Sequence, residues 1–303
     1  MQNREDSKTG HRRRFLKRVG GLGLGLAAGG AVRSLSETPV EAAPPPPVLT
    51  EANGNLIVRM QRELEQALDS GATPSWLMVV DTRKCIGCNA CTVACRAENP
   101  TGPGTAFRRV VEIRLTPGHR PISIFKPFNC LQCDAPPCQR AVPPGAITKR
   151  PDGIVEFDYL ALKGSLAERA VAACPFGAAH IDPGTTHTQD TPAPQPYEER
   201  PFVENGVPHA RIPGQTDLAG SARKCTFCSH RLAAGLLPAC VVTCLGGAMY
   251  FGDANDPDSL VMEVTQGRRV FQGHANFGVE PRVIYFTEPM PDASFVDCSV
   301  CHI

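Results

Sequence analysis

The run Cys85-Ile86-Gly87-Cys88-Asn89-Ala90-Cys91-Thr92-Val93-Ala94-Cys95 decides how this chain is read. Its C-x2-C-x2-C-x3-C spacing is the bacterial ferredoxin pattern, in which three close thiolates hold one iron–sulfur cubane and the fourth reaches across to a second. A complementary set lies far downstream, Cys225-x2-Cys228-x11-Cys240-x3-Cys244. Two runs paired by crossover complete two four-thiolate sites. Further sulfurs come from Cys130-x2-Cys133-x4-Cys138 and from Cys174, which precedes Pro175, and these make a third site. Twelve of the fourteen cysteines are then used, and the last two stand in the tail Cys298-Ser299-Val300-Cys301-His302. Electrons are the cargo such a chain would carry.

These residues resemble the electron-transfer (beta) subunits of the dimethyl-sulfoxide-reductase and polysulfide-reductase type, over a stretch from about Trp76 to Phe286. The resemblance implies an α+β fold of two pseudo-symmetric ferredoxin-like units, four cysteine groups and four clusters, so sixteen ligand positions can be laid onto the sequence. Twelve hold cysteine; the others are Val142, Gly164, Ala167 and Ala170. By the crossover rule those four belong to one cluster. The pattern is therefore the clean deletion of one cubane, with three [4Fe-4S] clusters left. Their ligands are Cys85, Cys88, Cys91 and Cys244; Cys95, Cys225, Cys228 and Cys240; and Cys130, Cys133, Cys138 and Cys174. Val142, Ala167 and Ala170 are expected to face inward and fill the space, with the Ala- and Leu-rich segment Leu160 to Ala173 helical. In the resembling subunits the deleted cluster lies at the end of the wire nearest a membrane partner.

Composition points the same way. Six per cent aromatic residues against 28 Gly and 29 Pro leave much of the chain as loop, wrapped around something other than a large apolar core. Zinc ribbons do not use the C-x2-C-x2-C-x3-C run. Cysteines three apart on a tight loop make poor disulfide partners. The alternative from another class remains an exported, non-redox binding protein held together by zinc or disulfides.

At the N-terminus, His11-Arg12-Arg13-Arg14-Phe15-Leu16-Lys17 fits the twin-arginine export signal, followed by a Gly-rich apolar stretch from Val19 to Val32 and a small-residue cleavage site at Val40-Glu41-Ala42. Residues 1–42 are read as a signal peptide that sends an already folded protein to the periplasm. Removing them, with their eight Lys or Arg and four Asp or Glu, takes the totals of 31 and 30 to 23 and 26. A net charge of about minus three makes nucleic acid an unsuitable partner. The apolar stretch is too short and Gly-rich to span a bilayer, so membrane association would come through partners.

The mature chain opens with a Pro-rich linker and a helix, residues 43–72; Leu56, Ile57, Met60, Leu64 and Leu68 recur at helical spacing. A double-ferredoxin-like domain follows over 73–287, with a Pro-rich insertion at 185–220. Strands are expected at Trp76–Asp81, Val110–Leu115, Ile122–Phe125, Ile154–Phe157 and Arg282–Phe286. A helix should open at Asp256-Pro257 and run through Gln266. Residues 288–303 form a tail whose C-x-x-C-H motif supplies two thiols, Cys298 and Cys301, and an imidazole, His302, for a covalent haem c. His180, His187, His209 and His230 are scattered, and the sequence contains no acid–base constellation that would make a substrate site. The resemblance implies a catalytic redox partner, either a molybdopterin enzyme or a hydrogenase. It also implies a membrane quinone-interacting subunit or a cytochrome c.

Overall fold

The computed structural model describes residues 55–102, 104–115, 121–185, 202–205, 207–209, 218–265, 270–271 and 278–286. The export signal, the linker from Ala43, most of the 185–220 insertion and the tail with Cys298, Cys301 and His302 lie outside the described residues. Seven α-helices occur among them: α1 (Leu56–Asp69), α2 (Ala90–Glu98), α3 (Pro137–Arg140), α4 (Ser165–Ala172), α5 (Ser229–Ala233), α6 (Ala239–Val242) and α7 (Leu260–Thr265). The strands are β1 (Trp76–Asp81), β2 (Arg108–Leu115), β3 (Ile122–Asn129), β4 (Ile147–Lys149), β5 (Val155–Phe157), β6 (Ala179–Ile181), β7 (Phe202–Glu204), β8 (Val207–His209), β9 (Ala222–Lys224), β10 (Met249–Asp253), β11 (Val270–Phe271) and β12 (Val283–Phe286). The fold is mixed α and β built on small sheets, compatible with a ferredoxin-like dicluster domain.

One sheet of four strands, in the order β10-β1-β12-β11, organises the larger core. β1 runs antiparallel to β10, with Trp76 opposite Asp253, and parallel to β12, with Met78 beside Val283. All six residues of Trp-Leu-Met-Val-Val-Asp are buried, the continuous apolar run of a strand covered on both faces. α1 lies against β10 through Met60 and Leu64, and its N-cap Asn55 accepts from Ile57 N and Val58 N. On the same sheet Trp76 stacks on Phe251 with ring centroids 5.4 Å apart, and Phe227 meets Phe251 edge-on. Phe227 belongs to a cysteine loop, so the sheet anchors that loop directly. The remaining strands form two-stranded pairs: β2 with β3, β4 with β5, β6 with β9 and β7 with β8.

A second, smaller apolar core gathers Val142, Ile147, Val155, Phe157, Leu162, Ala167, Ala170 and Ala222. Ala167 and Ala170 have no exposed surface at all. The cysteine-free positions are therefore filled by side chains, except that Gly164 lies exposed at the N-cap of α4 with φ +56°. That glycine also explains why the helix is shorter than the expected 160–173. Asp158 Oδ1 accepts from Leu160 N and Ala161 N, and this turn occupies the chain up to Gly164. At the other end, Pro175 disfavours helical backbone at Cys174. α7 likewise starts late: Asp256 Oδ1 takes Asp258 N in a local turn, and the helix opens only after Ser259. β5 begins at Val155, one residue after the expected Ile154, whose carbonyl instead accepts Arg150 N.

Beside this second core, buried Arg223 pairs with Asp182 and Glu204, and Tyr159 donates to Glu204. The network ties β7 to β9 and to the loop after β6. Because the small core is closed, Ala170→Leu is expected to overpack it at a cost of about 1–3 kcal/mol, read as a lowered apparent melting temperature. Leu160→Ala, at a side chain 82% exposed, should change stability by no more than about 0.5 kcal/mol.

Candidate metal centres

The first cysteine loop leaves β1 through a turn at Thr82–Lys84, where Asp81 Oδ1 accepts Arg83 N. Gly87 adopts φ +72°, and a Cβ there would meet the Phe125 ring at 2.7 Å. The loop then enters α2, which presents Cys91 and Cys95, four residues apart, on its buried side. The two sulfurs serve different groups. Cys91 lies under the influence of Cys240, Cys244 and Cys85, whereas the sulfurs acting on Cys95 are Cys225, Cys240 and Cys228; Arg108 acts on both. A rise of 1.5 Å per residue separates these positions by about 6 Å along the helix axis, enough to feed two neighbouring centres from one turn.

The return segments are built alike. Cys138 and Cys240 each sit two residues beyond an extended proline, Pro136 or Pro238, on the short helices α3 and α6. Cys174 and Cys244 each close a turn, with Gly177 N on Cys174 O at 3.2 Å and Gly247 N on Cys244 O at 3.1 Å. In both, the amide four residues on donates to sulfur: Ala178 N to Cys174 Sγ at 3.5 Å and Ala248 N to Cys244 Sγ at 3.2 Å. Gly246 is held to glycine by the backbone, since a Cβ there would lie 2.3 Å from Lys84 O.

The described cysteines gather into groups. Cys130, Cys133, Cys138 and Cys174 line a common cavity of about 20 Å³, roofed by Phe157, Phe176 and Lys224. Cys225 faces Cys240 in its own group and Cys130 in the next, and Cys91 faces Cys240 and Cys244. The group of Cys95, Cys225, Cys228 and Cys240 is therefore the middle one. The outer group of Cys85, Cys88, Cys91 and Cys244 reaches the surface, where Cys88 is exposed beside Ile86, Val93 and Leu245, all more than 60% exposed.

Burial opposes thiolate formation at several of these cysteines. It pushes the Cys91 thiol up to about 11, against the pull of Arg108, and Cys225 also to about 11. Cys133 and Cys138 are pushed up to about 12, and Cys95 and Cys228 are raised further by burial and by neighbouring sulfurs. Thiolates stacked this deeply need positive charge at the centre of each group, which iron supplies. The donor set fits cubanes and not single ions. All twelve described cysteines are free, and among the described residues no three His, Cys, Asp or Glu side chains lie close enough to share one ion. Thiolates on one zinc would stand about 3.8 Å apart.

The surroundings also expect an anion. Buried donors without a hydrogen-bond partner include Arg108 Nε and Nη1, Thr226 Oγ1 and Tyr285 Oη. Two of these residues act on the middle group directly: Arg108 donates to Cys240 Sγ at 3.2 Å, and Tyr285 feels Cys225. Asn99 Nδ2 lies 3.7 Å from both Cys95 and Cys228 Sγ, and Asn129 Nδ2 lies 3.7 Å from Cys225 Sγ. Lys224 Nζ, between the middle group and the cavity, is held by Val155 O and Cys225 O. None of these residues carries a spacing signal that sequence reading could use. Of the scattered histidines, His180 bonds Ala106 O and His230 bonds Glu98, while His209 packs near Tyr159. His187 lies outside the described residues.

Four-thiolate groups on ferredoxin-type loops, ringed by donors, define a [4Fe-4S] dicluster protein. The 4Fe-4S dicluster domain family matches residues 122–192 and 193–254. The B subunit of the selenate reductase of Mesobacillus selenatarsenatis is 39% identical over 95% of this chain and the whole of that protein. The iron–sulfur subunit of the arsenate respiratory reductase of Shewanella sp. is 32% identical over 69% of this chain and 94% of that subunit. The B subunit of the tetrathionate reductase of Salmonella typhimurium is 36% identical over 64% of each. The chain belongs to the iron–sulfur B subunits of the dimethyl-sulfoxide-reductase and polysulfide-reductase type.

The helix that carries both Cys91 and Cys95 generates a direct expectation. Cys95→Ala should remove the centre it shares with Cys225, Cys228 and Cys240 and leave the one adjoining it in sequence. Electron paramagnetic resonance of the reduced protein distinguishes the two; loss confined to the Cys85–Cys91 centre would refute the crossover.

Proposed function

We propose that this chain carries electrons through three [4Fe-4S] clusters between a catalytic reductase subunit and a membrane quinone-interacting or cytochrome partner. The observation that supports the reading is the convergence of Cys130, Cys133, Cys138 and Cys174 on one cavity, with Cys225 acting between Cys130 and Cys240 and Cys91 beside Cys240 and Cys244. The clusters supply one-electron chemistry when bound; the protein's own residues fix their spacing, exclude water and set the charge around them. The matching turns at Cys174 and Cys244, and the matching helices of Cys138 and Cys240, support two pseudo-symmetric units of which one has lost a cluster. The Pro-rich segment at 43–49 is read as a linker ahead of α1, and 185–220 as an insertion that carries the β7–β8 pair.

The catalytic partner is proposed to dock over the surface of Cys88, Ile86, Val93 and Leu245, where a cluster's ligand would otherwise meet solvent. Because the relative aligned over its whole length is named for selenate reduction, a molybdopterin subunit acting on an oxyanion of that kind is the first partner to seek. No helix among the described residues is long and apolar enough to cross a membrane, so membrane attachment is assigned to a further subunit. The Arg12-Arg13 signal supports export in the folded state to the periplasm. The tail motif of Cys298, Cys301 and His302 supports a covalent haem c that replaces the absent cluster as the electron exit.

Anaerobic protein from its native host should contain about twelve non-haem irons by the four-iron rule for cubanes, and co-purify with its catalytic subunit. Eight would remove the pairing of Cys174 with Cys130, Cys133 and Cys138. A denatured band that keeps haem-dependent peroxidase stain, and loses it in Cys301→Ser, is expected for the tail. Absence of the stain in the exported protein would leave the three clusters standing and remove the haem.

A further inference from the structure

Arg108 opens β2, 2% exposed, with its guanidinium against Met78 of β1 and Cys240 of α6. Its Nη2 donates to Cys240 Sγ at 3.2 Å and touches Met78 Sδ at 3.1 Å. Its Nε and Nη1 have no partner. Among the described residues no carboxylate pairs with it; the titratable groups it faces are Cys240, Cys91, Tyr285 and Cys225. An arginine retains its proton in proteins, and a buried cation without a counter-ion is strongly disfavoured. By contrast, the other deeply buried arginine, Arg223, is matched by two carboxylates.

We infer that Arg108 is a positioning residue for electron transfer, the fixed counter-cation of the middle cluster, whose charge raises that cluster's reduction potential and makes it the preferred resting place of an electron between its two neighbours. This rests on the cubane reading of the three groups. The physical ground is simple. A four-thiolate cubane is anionic and gains a further negative charge when it accepts one electron from the adjacent centre, with no bond made or broken. A guanidinium bonded to a ligand sulfur stabilises the reduced form more than the oxidised one, and in a dry interior that difference is weakly screened. Two of its donors are unused by protein, so they are free to point at cluster sulfide. Cys130, Cys133, Cys138 and Cys174 are not among the groups that act on it most strongly, so the far cluster should not respond.

The experiment compares wild type with Arg108→Lys, Arg108→Gln and Arg108→Met, prepared anaerobically as the native complex. Each is titrated potentiometrically with electron paramagnetic resonance as readout, and iron content is measured alongside. The middle centre is identified as the signal lost in Cys95→Ala. In Arg108→Gln and Arg108→Met its midpoint should fall by at least a tenfold change in the one-electron reduction equilibrium, about 59 mV. Arg108→Lys should recover more than half of the loss, and the centre of Cys130, Cys133, Cys138 and Cys174 should not move. Neutral variants that load fully and titrate like wild type overturn the inference, as does a lysine variant that falls as far as methionine. If the neutral variants lose the middle cluster while lysine keeps it, the charge serves loading and not the potential, and the inference fails. If all three lose it, shape and not charge is what the site needs, and the inference fails. A wild type with no iron–sulfur signal at all would instead refute the cubane reading.

Discussion

Gathering thiolates in a low-dielectric interior is the constraint on which the rest of this structure depends. Cys95, Cys133 and Cys228 are driven toward their neutral forms by burial and by neighbouring sulfurs, so such thiols stand together as ligands only around a cation. The fold answers with iron at the centre of each group and a shell of amides, hydroxyls and fixed charges around it. Ala178 N and Ala248 N reach sulfur from tight turns, Asn99 bridges Cys95 and Cys228, Arg108 donates to Cys240 Sγ and Lys224 to Cys225 O. Secondary structure is correspondingly sparse around the sites, in short helices and two-stranded pairs, because metal–thiolate bonds do the holding that a larger core does elsewhere.

The grouping of the cysteines was legible in sequence because cubane geometry restricts spacing. A C-x2-C-x2-C-x3-C run can place Cys91 in a loop group and carry Cys95 one helical turn onward, and the structure does this with α2. The cysteine-free positions were legible for the same reason: Val142, Ala167 and Ala170 stand at ligand spacing, are apolar, and are found buried in a common cluster. β1 could be read as buried from its unbroken apolar run. What escaped was local turn chemistry. Asp158 and Asp256 each captured backbone amides that a helix would otherwise have used, so α4 and α7 start later than periodicity implied. The charged shell escaped too. Arg108 sits beside Arg109 and ahead of Val110, and nothing in that order separates the arginine that is wholly enclosed from a neighbour whose guanidinium packs over Phe128.

Relatives named for different substrates are similar to this chain over 64% to 95% of its length. Selenate, tetrathionate and arsenate are the concern of the proteins named for them; an iron–sulfur chain of this kind presents only centres and surfaces. Selection on it acts on where electrons dwell and on which face meets a partner. The outer group, with Cys88 among exposed Ile86, Val93 and Leu245, belongs to the second concern, and the enclosed middle group to the first.

The filled core around Ala167 and Ala170 has a further consequence for maturation. Its cohesion comes from apolar burial and from the Arg223 ion pairs, both present as soon as the chain is synthesised. The three thiol groups gain their cohesion only when iron arrives. The molecule therefore contains a metal-independent scaffold at one end, next to the cavity of Cys130, Cys133, Cys138 and Cys174. A region held by apolar packing and ion pairs can take shape ahead of cofactor insertion and support Cys138 and Cys174, which pack against it.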